Sequence, residues 1–385
     1  MPLSVMCNWL TFFTLLILHS PLAEARSLIQ PNANVRALGM GNAFVALAKD
    51  TDALFYNPAG LGRTTHLTWT IMDLRLGASG YEAFQNLQDA QGSGSFADTV
   101  ASLYGESVGL GVGLKTGVTM PYLGFAVFND FDARLLPENP AFPTLNIDAM
   151  NDYGAVAGIA IPLLPNLHWG TSLRRVKRTG SSVPFGPSFV ASLDPEVIMD
   201  SVMNEGRGYG LDTGFNLILP NPLVTTTLSL LWRDIGKTSY RPQPGLTPPP
   251  RQEDEILFGL GAQIDLPMMS ITPALDLRFL NDTKMQLNKK LNFGVEVSLP
   301  LLDARAGFHQ GYYALGAGLD IGIMRLDLAT YGVEVGEYAG QLEDRRYLLQ
   351  LTLELGFDVK STLFTINDPD PPAPSARGRR IKQRR

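Results

Sequence analysis

The sequence predicts an all-β fold, a single transmembrane antiparallel β-barrel of about fourteen strands. Three observations lead there. Apolar and polar residues alternate with a period of two from residue 66 onward, the signature of strands with one face on lipid. The connections between the alternating stretches run long and short in turn, as the loops and turns of a barrel do. Past the N-terminus, no stretch approaches the ~18 consecutive apolar residues of a membrane helix.

Composition fits the same class. The chain has 385 residues, 38 of them glycine, and only 18% are charged, below the roughly 25% of globular proteins. The single cysteine is Cys7, so no disulfide framework or thiolate metal site is expected. The formal charge is −6, yet six of the 31 basic residues (Arg377, Arg379, Arg380, Lys382, Arg384 and Arg385) crowd into the last nine positions. The rest of the chain is acidic, which argues against nucleic acid as a partner.

Residues 1–25 read as a secretory signal peptide. Trp9 to Leu18 form an apolar core too short to span a bilayer, and Ala23-Glu24-Ala25 offers a small-x-small cleavage site before Arg26. No lysine or arginine precedes the core. Residues 26–65 form a separate segment without alternation, rich in small residues that would let it fit inside a barrel. Gly39 and Gly41 permit close backbone approach or a positive φ. Asn57 before Pro58 suits a turn or a helix start.

The barrel itself is expected over 66–357. Its strands are predicted at 66–76, 107–114, 121–131, 152–161, 167–178, 209–219, 223–233, 255–265, 270–280, 290–299, 303–309, 312–321, 324–333 and 345–357. The last is the clearest. Tyr347, Leu349, Leu351, Leu353, Leu355 and Phe357 lie on one face, and Gln350, Thr352 and Glu354 on the other. Long connections are expected at 77–106, 132–151, 179–208, 234–254, 281–289 and 334–344, and short ones at 115–120, 162–166, 220–222, 266–269, 300–302 and 322–323. The short link Gln310-Gly311 breaks the rule, because a long one is due there. Aromatic residues recur near strand ends (Trp69, Tyr122, Trp169, Tyr209, Trp232, Tyr312, Tyr331, Tyr347, Phe357), as an interfacial girdle would place them. Residues 358–385 contain Asp368-Pro369-Asp370-Pro371-Pro372 and then the basic run; they are expected to be a disordered periplasmic tail.

No enzymatic constellation is evident. His66, His168 and His309 stand far apart on different strands, without the spacing of a metal site. Gly109, Gly111 and Gly113 precede no helix and so do not make a dinucleotide fingerprint. No nucleophile elbow occurs. Neither a cofactor nor a metal is expected. The polar strand faces are more informative. If apolar faces meet lipid, then Arg174, Asp212, Arg233, Asp265, Asp276, Arg278, Glu296, Arg305, Asp320, Arg325, Asp327 and Glu354 point into the lumen, with signs mixed as in a salt-bridged interior. The loop after the fifth strand carries Phe185, Phe189, Val197, Ile198 and Val202, an apolar extracellular patch that marks a binding surface or a lid.

The string Arg36-Ala37-Leu38-Gly39-Met40-Gly41-Asn42-Ala43-Phe44-Val45-Ala46-Leu47-Ala48-Lys49-Asp50-Thr51-Asp52-Ala53-Leu54-Phe55-Tyr56-Asn57-Pro58-Ala59-Gly60-Leu61-Gly62-Arg63 resembles the N-terminal signature of the FadL-type outer-membrane transport superfamily, its PorV-like branch included. Echoes are Gly210-Leu211-Asp212-Thr213-Gly214 and Trp232-Arg233-Asp234-Ile235-Gly236. The resemblance implies a fourteen-stranded barrel whose N-terminal segment enters the lumen as a hatch, with Gly39, Gly41, Asn57, Pro58, Ala59 and Gly60 in the hatch motif. It implies a place in the outer membrane of a Gram-negative cell and no enzyme activity. The function expected is passage or capture of hydrophobic small molecules. The alternative is an accessory barrel without a channel, binding secretion substrates or another envelope partner. Outer-membrane lipid is the first expected partner, and an envelope protein reached through the tail is another. The chain departs from barrels that end on a terminal aromatic, because it continues beyond Phe357.

Overall fold

A period-two sequence cannot leave its strand edges bare in a bilayer, because unpaired backbone N–H and C=O groups there cost several kcal/mol each. The computed structural model meets this constraint by closure. It describes residues 32–80, 107–138, 144–186, 204–244, 247–336 and 340–357. Fourteen antiparallel strands run in chain order: β1 Leu67–Ser79, β2 Val108–Met120, β3 Leu123–Glu138, β4 Thr144–Leu164, β5 Leu167–Phe185, β6 Glu205–Leu219, β7 Val224–Arg233, β8 Glu255–Leu266, β9 Met269–Leu277, β10 Leu291–Ser298, β11 Leu302–His309, β12 Tyr312–Asp320, β13 Met324–Glu334 and β14 Glu343–Phe357. Each pairs with its chain neighbour, and β14 pairs with β1 from Leu67 opposite Phe357 to Ser79 opposite Arg346. A two-residue strand, Arg241–Pro242, adds to the upper end of β6. Among the described residues no helix is long and apolar enough to cross a membrane.

Outside, the barrel is apolar: Leu110, Phe125, Leu173, Leu230, Leu315 and Leu328 are all exposed. Their inward neighbours are mostly small or polar and buried, such as Gly111, Ala126, Ser172, Ser229 and Asp327. Arginine placed at Leu315 or Leu328 is expected to lower barrel stability by roughly 2–4 kcal/mol, the cost of a charge at mid-bilayer depth. Arginine at Thr352, which lines a luminal cavity, is expected to cost much less. Urea titration of the reconstituted barrel reads the difference, and equal losses at all three positions would place lipid on the wrong face.

Every expected strand is present, but several are longer than alternation suggested. β2 runs on to Met120, so the turn is only Pro121-Tyr122, with Tyr122 at φ 70°. β3, β4 and β5 have 16, 21 and 19 residues, well beyond the ~9–11 that a tilted strand needs. Residues 132–138 and 144–151, expected in a loop, are therefore strand, and so are 179–185. The link that broke the long–short rule is a tight hairpin: Gln310 and Gly311 have φ of 52° and 102°, the positive pair that such a turn demands.

Before β1, the chain forms α1 Val35–Gly39, α2 Asp50–Tyr56 and a 3-10 helix Pro58–Arg63. α1 touches β11 to β14, α2 touches β1 to β4, and the 3-10 helix touches β4 to β6. The segment thus lies within the ring of strands. Met40, Phe44, Leu54, Tyr56 and Leu61 are its largest fully buried side chains.

Candidate functional site: the luminal segment and the wall that holds it

The segment is seated by close backbone approach. Gly41 has φ +65°, and a Cβ there would stand 2.5 Å from the carbonyl oxygen of Phe308 on β11. Gly170 on β5 faces the 3-10 helix so closely that a Cβ would lie 2.2 Å from the Ala59 nitrogen. Gly39, Gly41, Asn57, Pro58, Ala59 and Gly60 are all buried. Asn57 caps the 3-10 helix through its Oδ1, which accepts from Ala59 N–H at 3.1 Å. Its side-chain amide also lies 2.8 Å from that of Asn216 on β6.

Wall charges hold the first half of the segment. Arg36 donates to Glu296 of β10 through Nε at 2.8 Å and Nη2 at 2.6 Å. Glu296 also accepts from Arg305 at 2.6 Å, and Arg305 continues to Asp327 at 2.7 Å and Asp303 at 3.1 Å. Arg325 pairs with Asp327 at 2.9 Å. Asp276 accepts from the backbone N–H groups of Phe44 at 2.7 Å and Val45 at 3.0 Å. Gln350 accepts from Val35 N–H at 2.6 Å, and Arg75 donates to the Ala33 carbonyl at 2.7 Å. Asp130 accepts from Asn32 N–H and pairs with Arg75.

The second half is held by β1 and β2. Lys115 reaches Asp52 at 3.1 Å and Asp73 at 3.3 Å, and lies 5.3 Å from the centre of the Phe55 ring. Burial works against the charged form of Asp52, but the Lys115 ammonium and the Asn34 amide hold its carboxyl below the usual range. Burial pushes the Tyr56 hydroxyl up to about 12, so it stays protonated. It donates to Asn42 at 3.2 Å and accepts from Asn34 N–H at 3.1 Å.

The luminal charges expected from alternation fall into connected groups. Arg174 bridges Asp212 at 3.1 Å and Asp234 at 2.8 Å. Arg233 and Arg278 share Glu255 at 3.2 and 2.7 Å. Glu296, Arg305, Arg325 and Asp327 form the network around Arg36. Asp320 and Glu354 line a cavity at the short-turn end. Asp265, by contrast, is exposed beside a turn. Alternation missed Asp52, Asp73, Arg75, Lys115, Asp130, Asp132, Asp152, Arg178, Glu255, Asp303 and Arg346. Two other expectations need correction. Phe185 is not in a loop: it ends β5, buried and in register with Leu145. Phe189, Val197, Ile198 and Val202 lie outside the described residues. Tyr331 is no girdle residue, since it is buried in the lumen with its ring 5.6 Å from that of His309.

Two cavities flank the segment. On the loop side, a small cavity of about 20 Å³ is lined by Leu38, Tyr331, Val333 and Leu348 together with Arg75, Asp132, His309 and Arg346. On the short-turn side, one of about 80 Å³ is lined by Arg36, Lys49, Asp52, Asp320, Arg325 and Glu354. Residues of the segment form part of the wall of both.

No family model and no curated protein matches the chain. Solved structures do. It is similar to the toluene transporter TodX of P. putida at 10% identity, covering 88% of this chain and 100% of that one with a TM-score of 0.47. A TodX deltaS2S3 mutant, described as a monoaromatic hydrocarbon channel, gives 10% identity, 86% and 99% coverage, and the same TM-score of 0.47. The CymD monoaromatic hydrocarbon channel gives 10% identity, 84% and 97% coverage, and a TM-score of 0.45.

Proposed function

We propose that the chain is an outer-membrane barrel through which hydrophobic small molecules pass or are captured, and that residues 26–65 are its hatch. The observation that carries this reading is the position of the segment between two cavities, one reached from each end of the barrel. Leu38, Tyr331, Val333 and Leu348 line the loop-side cavity of about 20 Å³, and a shift of the hatch away from them would open it to an apolar body. Luminal sites for such ligands are apolar with a few polar groups that set orientation. Beyond the hatch, the polar wall of the second cavity favours release over retention.

Uptake of a radiolabelled apolar solute by cells with an intact lipopolysaccharide outer leaflet tests the proposal. Expression of the chain is expected to raise the initial rate. Deletion of 32–63 is expected also to admit small hydrophilic solutes while the barrel still assembles. Uptake equal to that of cells without the chain would contradict the transport reading.

The same interior is compatible with the alternative, a PorV-like accessory barrel that binds secretion substrates or an envelope partner. The ion pairs and backbone bonds around Arg36, Asp276 and Lys115 would suit a permanent plug as well as a movable one. Stable co-purification of one envelope protein, together with no solute uptake, would favour that reading.

A further inference from the structure

The short turns of this barrel are apolar at their tips. They are Pro121-Tyr122, Pro165-Asn166, Pro220-Asn221-Pro222-Leu223, Pro267-Met268, Leu299-Pro300-Leu301 and Ile321-Gly322-Ile323, and none carries a charged residue. Met268 is 82% exposed, Leu223 70%, and Leu301 and Ile323 58% each. Leu164, just before its turn, is 59% exposed. Turns in water have no reason to present leucine, isoleucine or methionine in four of six hairpins, with Leu164 flanking a fifth, and a contiguous exposed apolar patch marks an interaction surface.

Strand length indicates what covers it. β9, β10, β11 and β12 have only 9, 8, 8 and 9 residues. Eight residues at ~3.4 Å rise and ~45° tilt reach only about 19 Å of bilayer height, short of the ~25 Å apolar band of a barrel. The missing height must come from one end. At the loop end, the β9–β10 connection mixes exposed Leu280 and Leu287 with the exposed charge of Lys284 and the half-buried charges of Asp282 and Lys290, a polar content that the turn tips lack. At the turn end, the outward belt runs without a break from Leu315 and Leu328 into Ile321, Ile323 and Met324. Of the acids beside these turns, Asp303 is buried, Asp320 faces the cavity, and Asp265 is exposed.

We infer that the turn tips are immersed in the inner leaflet of the bilayer, so that the apolar rim takes phospholipid as its partner and the barrel has no polar collar at that end. This goes beyond the transport reading and does not depend on it. Ile323 and Met324 also line the cavity at the short-turn end, so lipid and cavity share that wall.

The test uses the full chain with Cys7→Ser, single substitutions Met268→Cys, Leu301→Cys and Ile323→Cys, and an environment-sensitive fluorophore on each. The vesicles are phosphatidylethanolamine and phosphatidylglycerol, with nitroxide on either a shallow or a deep acyl carbon. Leu315→Cys serves as the mid-belt reference and Thr247→Cys, on an exposed loop, as the aqueous one. Heat-modifiable gel mobility confirms that each variant is folded. The tip positions are expected to emit to the blue of Thr247→Cys and to be quenched more by the shallow nitroxide than by the deep one, with the opposite order at Leu315→Cys. Emission matching Thr247→Cys, with no nitroxide quenching, would overturn the inference by putting the rim in water. Blue emission without nitroxide quenching would overturn it too, because another copy of the chain would then cover the rim.

Discussion

Replacing Glu296 with alanine is expected to cost the barrel about 3–5 kcal/mol, the usual penalty when one partner of a buried ion pair is removed. The carboxylate is 3% exposed at its side chain and serves two guanidinium groups, Arg36 on the segment and Arg305 on the wall. Without it, two cations face each other in a site with little water. Arg305 retains Asp303 and Asp327. Among the described residues no other acid forms an ion pair with Arg36, so the loss should fall mainly on the segment. A double-mutant cycle with Arg36→Ala separates the two effects. If the segment is held through this pair, Arg36→Ala should recover part of the loss caused by Glu296→Ala, since it removes the stranded charge. Additive losses would mean that Arg36 draws its stability from elsewhere.

The second large effect is expected at glycine. Gly41→Val puts a β-branched side chain at φ +65° and its Cβ against the Phe308 carbonyl. Left-handed backbone alone costs roughly 1–2 kcal/mol for such a residue, and the collision with strand backbone cannot be relieved by a rotamer change. Gly170→Val reaches the same end from the wall, by driving a Cβ into the Ala59 nitrogen, in a strand where valine is otherwise favoured. Both variants are expected to form barrels of normal gel mobility in which the segment is unseated. In planar bilayers, both should give a larger and noisier conductance than the parent chain. Parent-like conductance from two collisions at opposite ends of the segment would show that it does not close the lumen.

Much of this architecture was legible in the sequence because lipid enforces a strict rule. The strands follow the period of two apart from local bulges, and most of the short turns between them were readable from proline and glycine. Many of the charges on β6 to β14 followed from the same alternation, although it passed over Glu255, Asp303 and Arg346 and wrongly turned Asp265 inward. Those on β1 did not, for a physical reason. A bulge between Thr70 and Asp73 inserts a residue and reverses the phase. Thr68 and Thr70 point inward, and so do Asp73 and Arg75, although two are even-numbered and two odd. Lys115 and Asp132 were hidden differently, because β2 and β3 run on through stretches expected to be a turn (115–120) and a loop (132–151). Asp130 fell inside the expected third strand but was not counted among the luminal charges. Asp52 belongs to the segment, whose wall partners lie from 19 to 315 residues away in sequence and are set by tertiary closure alone. Tyr331 reads as a girdle aromatic by position, but it shares the phase of Asp327 and Ala329 on the inward face of β13, opposite Ala314 and against the His309 ring.

The central claim is that residues 32–64 fill the lumen of the assembled barrel. The most direct measurement is the rate at which a bulky maleimide labels Ala59→Cys in the folded, reconstituted chain carrying Cys7→Ser, compared with Thr247→Cys. Ala59 is 0% exposed beneath the wall at Gly170, whereas Thr247 is exposed. The account predicts that Ala59→Cys reacts far more slowly than Thr247→Cys and reaches the same rate once urea unfolds the barrel. Equal rates in the folded state would contradict it, because the segment would then be a free arm outside an open barrel.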